Sequence, residues 1–300
     1  MKKTPKTFLS IFMRKSVKFL SRKGLLNGLS DETYLKLFFW AKMGEKLDLE
    51  APKTYNEKIQ WLKLYDRKEA YTQQVDKYEV RAYISEKIGS DYLVPIHGVY
   101  DSVEEIDWSN LPEKFVLKAT HGSRSNVICD NKEKLDVEKA KKNLNKWMKR
   151  NWYWYGRAYP YKNIKPRIIC EEFLQDNITD YKFMCFNGEP KQIQVHRDRH
   201  NDLASKTLDF YDMNWNLTDI SRPNEKSGPK TEKPKRFDEM VAIAKTLSAG
   251  DIHVRVDLYE VGGKIFFGEK TFYSSSGFAP FTEKKDDYLL GSWISLPIKK

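Results

Sequence analysis

The spacing of apolar residues changes period near residue 92. Upstream, apolar positions recur every three to four residues. Ser30 or Asp31 is placed to cap a helix running to Gly44, and Thr54-Tyr55-Asn56-Glu57 has the form of a capping box ahead of Ile59, Leu62 and Tyr65. Val75, Tyr78 and Ala82 share one face of a third helix, expected from about 72 to 88 and stopped by Gly89. Downstream come short runs rich in β-branched and aromatic residues, at 92–99, 115–119, 126–129, 167–174, 181–186, 190–197 and 207–211. Helices are expected among them at 136–150 and 237–249, the second with Met240, Val241, Ala244 and Leu247 in register. The Pro- and Lys-rich stretch from Ser221 to Arg236 reads as a mobile loop. The order predicts an α+β fold without internal repeats.

Two further runs, Arg255-Val256-Asp257-Leu258-Tyr259 and Lys264 to Thr271, are joined through Gly262-Gly263 and predict a β-hairpin. Each carries one carboxylate among apolar neighbours. Burying a carboxylate without a partner is costly, so Asp257 and Glu269 either face solvent or share a cation.

Two upstream segments bear on that choice. Phe115-Val116-Leu117-Lys118-Ala119 ends an apolar strand on a lysine and runs into Thr120-His121-Gly122-Ser123-Arg124-Ser125. An anion such as phosphate would satisfy Lys118, and the small-residue loop offers backbone N–H groups and hydroxyls to the same anion. A plain Gly-Ser turn between strands is the alternative, and neither a Walker A nor a Rossmann fingerprint is present. Ile168 to Leu174 is a strand leading to a polar segment that ends at Asp180. Its exposed backbone edge suits a purine and Asp180 a ribose, although any edge strand has such an edge.

Composition narrows the classes. Apolar residues at 40% and charged residues at 32% suit a globular chain. The net charge of +11 is uneven: residues 1–30 hold eight basic side chains and no acid, leaving +3 for the other 270. A nearly neutral body argues against nucleic acid as a partner. The basic arm, with Phe8, Leu9, Ile11, Phe12, Val17, Phe19 and Leu20 interleaved, either packs on the body or lies on anionic lipid through residues 1–24. It is too broken to span a bilayer and lacks a signal-peptide apolar core. Cys129, Cys170 and Cys185 are spaced for no metal and read as buried thiols in a reducing compartment. No zinc site, catalytic triad or Cys-His pair is assembled by the spacing. Trp152, Tyr153, Trp154, Tyr155, Tyr159 and Tyr161 form either a sugar-stacking surface or a tucked-in aromatic loop. His196, Arg197, Arg199 and His200 are candidate contacts for an anionic saccharide, or solvated surface charge.

Taken in order, Asp76-Lys77, the Lys118 strand and loop, Glu171-Glu172-Phe173-Leu174, then Arg-x-Asp and Glu-x-Thr on the hairpin resemble the ATP-grasp superfamily. More narrowly, residues from about 52 to 297 are similar to the TupA-like ATP-grasp family of cell-surface polysaccharide loci, whose members are often labelled glycosyltransferases. The likeness includes Pro52-Lys53-Thr54-Tyr55-Asn56-Glu57-Lys58, the Lys-x-x-His-Gly-Ser loop, Asp209-Phe210-Tyr211-Asp212 with Trp215, and Gly268-Glu269-Lys270-Thr271-Phe272.

The resemblance implies an ATP-grasp fold with a helical N-terminal extension at 1–50. A helical or α/β lobe would follow at 51–110, a small lobe with phosphate loop and hinge at 111–185, and a lobe with the metal hairpin at 186–300. It further implies ATP and Mg²⁺ as cofactors. Lys77 and Lys118 would contact the phosphates, Lys118 also approaching the adenine, under a flexible loop containing His121, Gly122, Ser123 and Ser125. Glu171, Glu172, Phe173 and Leu174 would frame the adenine, and Asp180 would take the ribose. Asp257, Glu269 and Thr271 would hold Mg²⁺, with Arg255 beside an acyl phosphate. Two positions depart from the superfamily pattern: Thr271 replaces an asparagine, and Arg124 stands where glycine is usual.

The implied activity is a carboxylate–amine ligase joining an amino acid or amine to a uronic-acid saccharide of a capsule or other cell-surface polysaccharide. The expected location is cytoplasmic, at the inner face of the plasma membrane if the arm meets lipid. A nucleotide-sugar glycosyltransferase is one competitor and predicts an Asp-x-Asp pair after a Rossmann-like strand, which is not found. A non-catalytic polysaccharide-binding or scaffold protein is the other, kept open by Thr271 and Arg124.

Overall fold

The computed structural model describes residues 8–197 and 206–297, so Arg199, His200 and the first seven residues of the basic arm lie outside the described residues. Five helices come first: α1 (Phe8–Arg22), α2 (Asp31–Met43), α3 (Tyr55–Tyr65), α4 (Ala70–Val75) and α5 (Val80–Ile88). The local signals act as expected at α2 and α3. Ser30 Oγ accepts from Thr33 N at 3.3 Å, Gly44 closes α2 with φ of 80°, and Thr54 and Glu57 form the reciprocal capping box.

The expected helix over 72–88 is instead two helices, α4 and α5. Asp76 breaks it, because its carboxylate accepts from Tyr78 N at 2.7 Å and Glu79 N at 3.1 Å, while Lys77 N donates to Thr120 O at 3.1 Å. The break turns Lys77 toward the loop after Ala119.

Next come β1 (Ile96–Tyr100), β2 (Phe115–Ala119), β3 (Asn126–Cys129), α6 (Val137–Met148) and β4 (Ile168–Glu172). The first of these strands begins later than the expected 92, since Pro95 has no N–H for a ladder and Ser90–Tyr92 forms a single 3₁₀ turn. β1, β4, β2 and β3 pair in that order, all antiparallel. Phe115, Leu117, Ile168 and Cys170 on one face of this sheet pack with Leu144 of α6 into a small separate core.

The rest of the chain supplies β5 (Asp180–Phe186), β6 (Glu189–Arg197), β7 (Thr207–Tyr211), α7 (Phe237–Ser248), β8 (His253–Val261), β9 (Lys264–Thr271) and α8 (Lys284–Ser292). Their five strands form a second antiparallel sheet in the order β7-β6-β5-β8-β9. On one face Phe183, Cys185, Val254 and Val256 share a core with Met240, Ile243 and Ala244 of α7, and the same cluster takes in Phe38 and Ile59 of α2 and α3. Asn56 anchors α8 to α3, its backbone and side-chain nitrogens donating to Asp287 Oδ1 at 3.0 and 2.9 Å.

Cys129, Cys170 and Cys185 are free and buried. Burial pushes the Cys170 and Cys185 thiols up to about 12, which keeps them unreactive at neutral pH. The stretch 221–236, expected as a mobile loop, is tied along β7. Leu208 N donates to Lys226 O at 2.9 Å, Gly228 N to Asp209 Oδ2 at 3.0 Å and Trp215 Nε1 to Thr231 O at 3.0 Å.

Candidate functional site

The β8–β9 hairpin turns on Gly262 and Gly263, both left-handed at φ of 58° and 76°, the geometry a two-residue turn between twisted strands requires. Further along, the β8–β9 register slips by one at Gly268. This bulge brings Glu269 opposite Asp257, and Asp257 in turn lies opposite Lys182 on β5. Alternation along each strand puts Asp180, Arg255 and Thr271 on the face with that row, away from α7. The apolar faces of the strands make the core, and the charged face makes the site.

The question posed by Asp257 and Glu269 is answered by Arg255, which both acids share. Its Nε donates to Asp257 Oδ1 at 2.6 Å, and its Nη2 to Asp257 Oδ2 at 2.8 Å, Glu269 Oε1 at 2.6 Å and Thr271 Oγ1 at 3.2 Å. Thr271 Oγ1 also donates to Glu269 Oε1 at 3.3 Å. Lys182 forms an ion pair with Asp257, and its ammonium lies 3.4 Å from Asp180 Oδ2. Asp257 is fully buried, so burial pushes its carboxyl up while Arg255 and Lys182 oppose the shift. Burial works against the Arg255 charge too, yet Asp257 and Glu269 hold its pKa above the ordinary value.

A second group of cations approaches from the α4–α5 break and from β2 of the four-stranded sheet. Lys77 donates to Gly122 O and lies 3.9 Å from Glu269 Oε2. Burial holds Lys77 below the usual lysine range, with Glu269 opposing and the nearby Lys118 reinforcing that shift. Lys118 pairs with Glu171. Within the loop, Ser125 is buried with its hydroxyl on Ser123 O at 3.2 Å. Arg124 adopts φ of 58°, the left-handed conformation that favours glycine. His121 is buried with Nε2 3.1 Å from Trp147 O, and its Nδ1 has no partner.

Glu171, Glu172, Phe173 and Leu174 with Asp180 line a cleft of about 130 Å³ between the sheets. Val116 and Ile128 continue the row of Glu171 across the four-stranded sheet, and Tyr259 of β8 lines the cleft from the hairpin. β4 is paired on both sides, with β1 and β2, so the exposed strand edge expected over Ile168–Leu174 is not there, and of that run only Phe173 and Leu174 border the slot from beyond the ladder. A slot of mixed apolar and polar lining with a carboxylate suits a flat heterocycle with a polar sugar.

Of the aromatic segment Tyr155 is exposed, and Trp152, Trp154, Tyr159 and Tyr161 are half-buried. Tyr153 is buried and donates to Asp31 Oδ1 at 2.5 Å, and the guanidinium of buried Arg157 stacks between Tyr34 and Trp154, 4.6 Å from each ring centre. Two members bear on the site. A Cβ on Gly122 would lie 1.8 Å from Trp152 Nε1, so Trp152 sits directly over the loop and only glycine fits beneath it. Tyr161 is kept neutral by burial and lies in the fields of Glu269 and Arg255. Arg197 is engaged with Asp209 at 2.6 Å, which ties β6 to β7.

Sequence reasoning did not single out Lys182. The signal was there: Asp180-x-Lys182 repeats the two-residue spacing of Arg255-x-Asp257 and Glu269-x-Thr271 in an otherwise apolar strand. Trp152 and Tyr161 carried no comparable sign.

The fold and its cleft define an ATP-grasp protein. The chain belongs to the TupA-like ATP-grasp family, whose sequence model matches residues 57–295. Comparison with curated proteins gives no match. Among solved structures it is similar to a D-alanine–D-alanine ligase from Bacillus anthracis complexed with ATP, at 14% identity over 66% of this chain and 55% of that one, with a TM-score of 0.38. An L-amino acid ligase from Bacillus licheniformis is similar at 11% identity over 84% of this chain and 55% of that one, with a TM-score of 0.45. A D-alanine–D-alanine ligase from Helicobacter pylori is similar at 14% identity over 80% and 69%, with a TM-score of 0.39. The chain thus spans about half the length of the first two.

Proposed function

We propose that the protein is an ATP- and Mg²⁺-dependent carboxylate–amine ligase. The observation that carries this reading is the row of Lys182, Asp257 and Glu269 across three adjacent strands, with Arg255 joining the two acids and Lys77 arriving from the break between α4 and α5. In this reading the adenine of ATP lies in the cleft beside Phe173 and Leu174, Asp180 takes the ribose, and the phosphates face Lys77, Lys118 and the loop of His121, Gly122, Ser123 and Ser125.

The donor set fits Mg²⁺. Asp257, Glu269 and Thr271 are hard oxygen donors converging on a place where a guanidinium already neutralises them, and Mg²⁺ needs only one or two carboxylates besides phosphate oxygens and water. Among the described residues no cluster of three or more His, Cys, Asp or Glu forms a metal cage. When bound, the ion supplies charge neutralisation on the transferring phosphoryl group. Thr271 brings a hydroxyl in place of an amide oxygen, which shifts more of the coordination to Asp257 and water.

The chain's own part is positional and electrostatic. Arg255, Lys77 and Lys118 offset negative charge as an acceptor carboxylate attacks the γ-phosphorus and its bond to the bridging oxygen breaks. The resulting acyl phosphate loses phosphate to an attacking amine. The protein supplies no nucleophile. The acceptor in this proposal is a uronic-acid saccharide of a cell-surface polysaccharide and the amine an amino acid or simple amine, a choice that rests on the family resemblance.

The test is Mg²⁺-ATP binding by calorimetry and ADP release with a panel of uronic acids and amines, for the natural chain, Asp257→Asn and Glu269→Gln. Binding and ADP release that both substitutions abolish are expected. Nucleotide binding indifferent to both would overturn the proposal, and turnover of a UDP-sugar without ATP would assign the protein to the glycosyltransferases.

A further inference from the structure

α1 is held to the body along one side only. Arg14 donates from Nε to Ala41 O and from Nη2 to Lys42 O, each at 3.2 Å, at the C-terminal end of α2. Ser21 is buried against the Tyr34 hydroxyl at 2.7 Å, and Val17 packs on the main core. Leu9, Phe12, Met13 and Phe19 stand on another face and are 66, 60, 50 and 56% exposed. Spacings of three, four and ten residues align them in one stripe. Four of the twelve large apolar side chains exposed among the described residues thus share one face of this helix.

Cations rim the stripe. Lys15, Lys18 and Arg22 follow one another at spacings of three and four, and Lys18 and Arg22 line a cavity of about 210 Å³ together with Lys42 of α2. Burial, then Lys18 and Arg22, hold Lys42 below the usual lysine range. Among the described residues none of Lys15, Lys18, Arg22 and Lys42 forms an ion pair, and residues 1–30 contain no acid. A second copy of this face would bring like charges together. An anionic lipid surface offers both an apolar layer for the stripe and phosphates for the rim.

We propose that α1 docks the protein on an anionic bilayer, lying in the interface with Leu9, Phe12, Met13 and Phe19 in the acyl boundary. The contact is peripheral: among the described residues no helix is long and apolar enough to cross a membrane. It would also set the bilayer near the candidate site. Ser275 and Ser276 line the cavity of Lys18 and Arg22, and the preceding Ser274 accepts from Arg255 Nη1 at 3.3 Å.

The test is cosedimentation of the full chain with phosphatidylcholine vesicles, with and without phosphatidylglycerol, at low and high salt. The natural chain is expected to bind the anionic vesicles about ten-fold or more tightly than the neutral ones, with loss at high salt. Paired Phe12→Ser and Phe19→Ser, and separately paired Lys15→Glu and Arg22→Glu, each lower that binding about ten-fold while the melting temperature holds. All four positions are exposed, so the charge-reversed pair keeps the test valid if the serine pair folds poorly. Equal binding to both vesicle types, or by natural chain and variants, would overturn the proposal. So would a dimer in sedimentation velocity that the serine pair dissolves, which would assign the stripe to a second copy.

Discussion

Lys182 and Lys63 are both buried, at 3 and 0% exposure, yet they are compensated in opposite ways. Lys182 lies in a row of full charges, paired with Asp257 and next to Asp180. Lys63 meets only neutral groups: its ammonium donates to Gly156 O and Ser276 O at 2.7 Å and to Gln60 Oε1 at 2.9 Å, over the Phe278 ring at 4.3 Å. The Lys63 region is a structural clamp. It fixes the turn after β9, where Ser275 and Ser276 hold left-handed φ of 49° and 54° against their preference. The Lys182 region balances the acids Asp180, Asp257 and Glu269 against the cations Lys182 and Arg255. Burial of charge alone does not mark a site, since Lys63 is buried among neutral groups.

His253 belongs with Lys63. Its Nδ1 donates to Phe272 O at 2.9 Å, its Nε2 lies 3.2 Å from the Tyr55 hydroxyl, and no counter-charge stabilises its protonated form. Four measurements would break or sharpen the contrast. The largest effect is expected for Asp257→Asn, which removes the counter-charge that Lys182 and Arg255 share, leaving Asp180 beside the one and Glu269 beside the other. It should lower stability in chemical denaturation by about 3–5 kcal/mol. An unchanged unfolding midpoint would mean that the row is not a charge network.

The next is pH. Burial pushes His253 down to about 4 from 6.5, so the unfolded chain binds more protons between those values. Stability from this group is complete above about 6.5 and is lost as pH falls toward 4, by about 3 kcal/mol in all. His253→Gln should flatten the denaturation profile in that window, and a profile of unchanged slope would refute the assignment. Third, Lys63→Met removes four hydrogen bonds, to Gln60 Oε1, Gly156 O, Ser276 O and Ser276 Oγ, and should cost about 2 kcal/mol of stability. Mg²⁺-ATP affinity should stay within about two-fold, and a large loss of affinity would erase the distinction between clamp and site. The smallest effect sharpens the phosphate-loop side. Gly122→Ala should weaken Mg²⁺-ATP binding about ten-fold at unchanged melting temperature, and adding Trp152→Ala should restore it.

Much of the fold was legible where the signals are local. The bounds of β2, β3 and β7 match their apolar runs, and Gly262-Gly263 marks the hairpin turn because no other residue type enters left-handed backbone so readily. The break at Asp76 was not legible, because its helix-breaking side-chain bonds act together with a backbone bond from Lys77 to Thr120, 43 residues away. The stretch 221–236 looked free because its Pro and Lys content hides the partners it finds on β7.

Asp257 and Glu269 could be named from sequence as residues needing partners, since an acid in an apolar strand is expensive wherever it lies, whereas Arg255 was named only through the family resemblance. Which partners they take was decided in three dimensions. The bulge at Gly268 sets Glu269 opposite Asp257, and strand order sets Lys182 beside it from 75 residues away. The same holds for α1, whose amphipathic pattern is plain in the chain but whose free face appears only once Arg14, Val17 and Ser21 have used the other. Caps, turns and periodicities are written within a few residues because their hydrogen bonds close over that distance. Ion pairing and exposure depend on register between strands and on what is desolvated, and those belong to the whole folded chain.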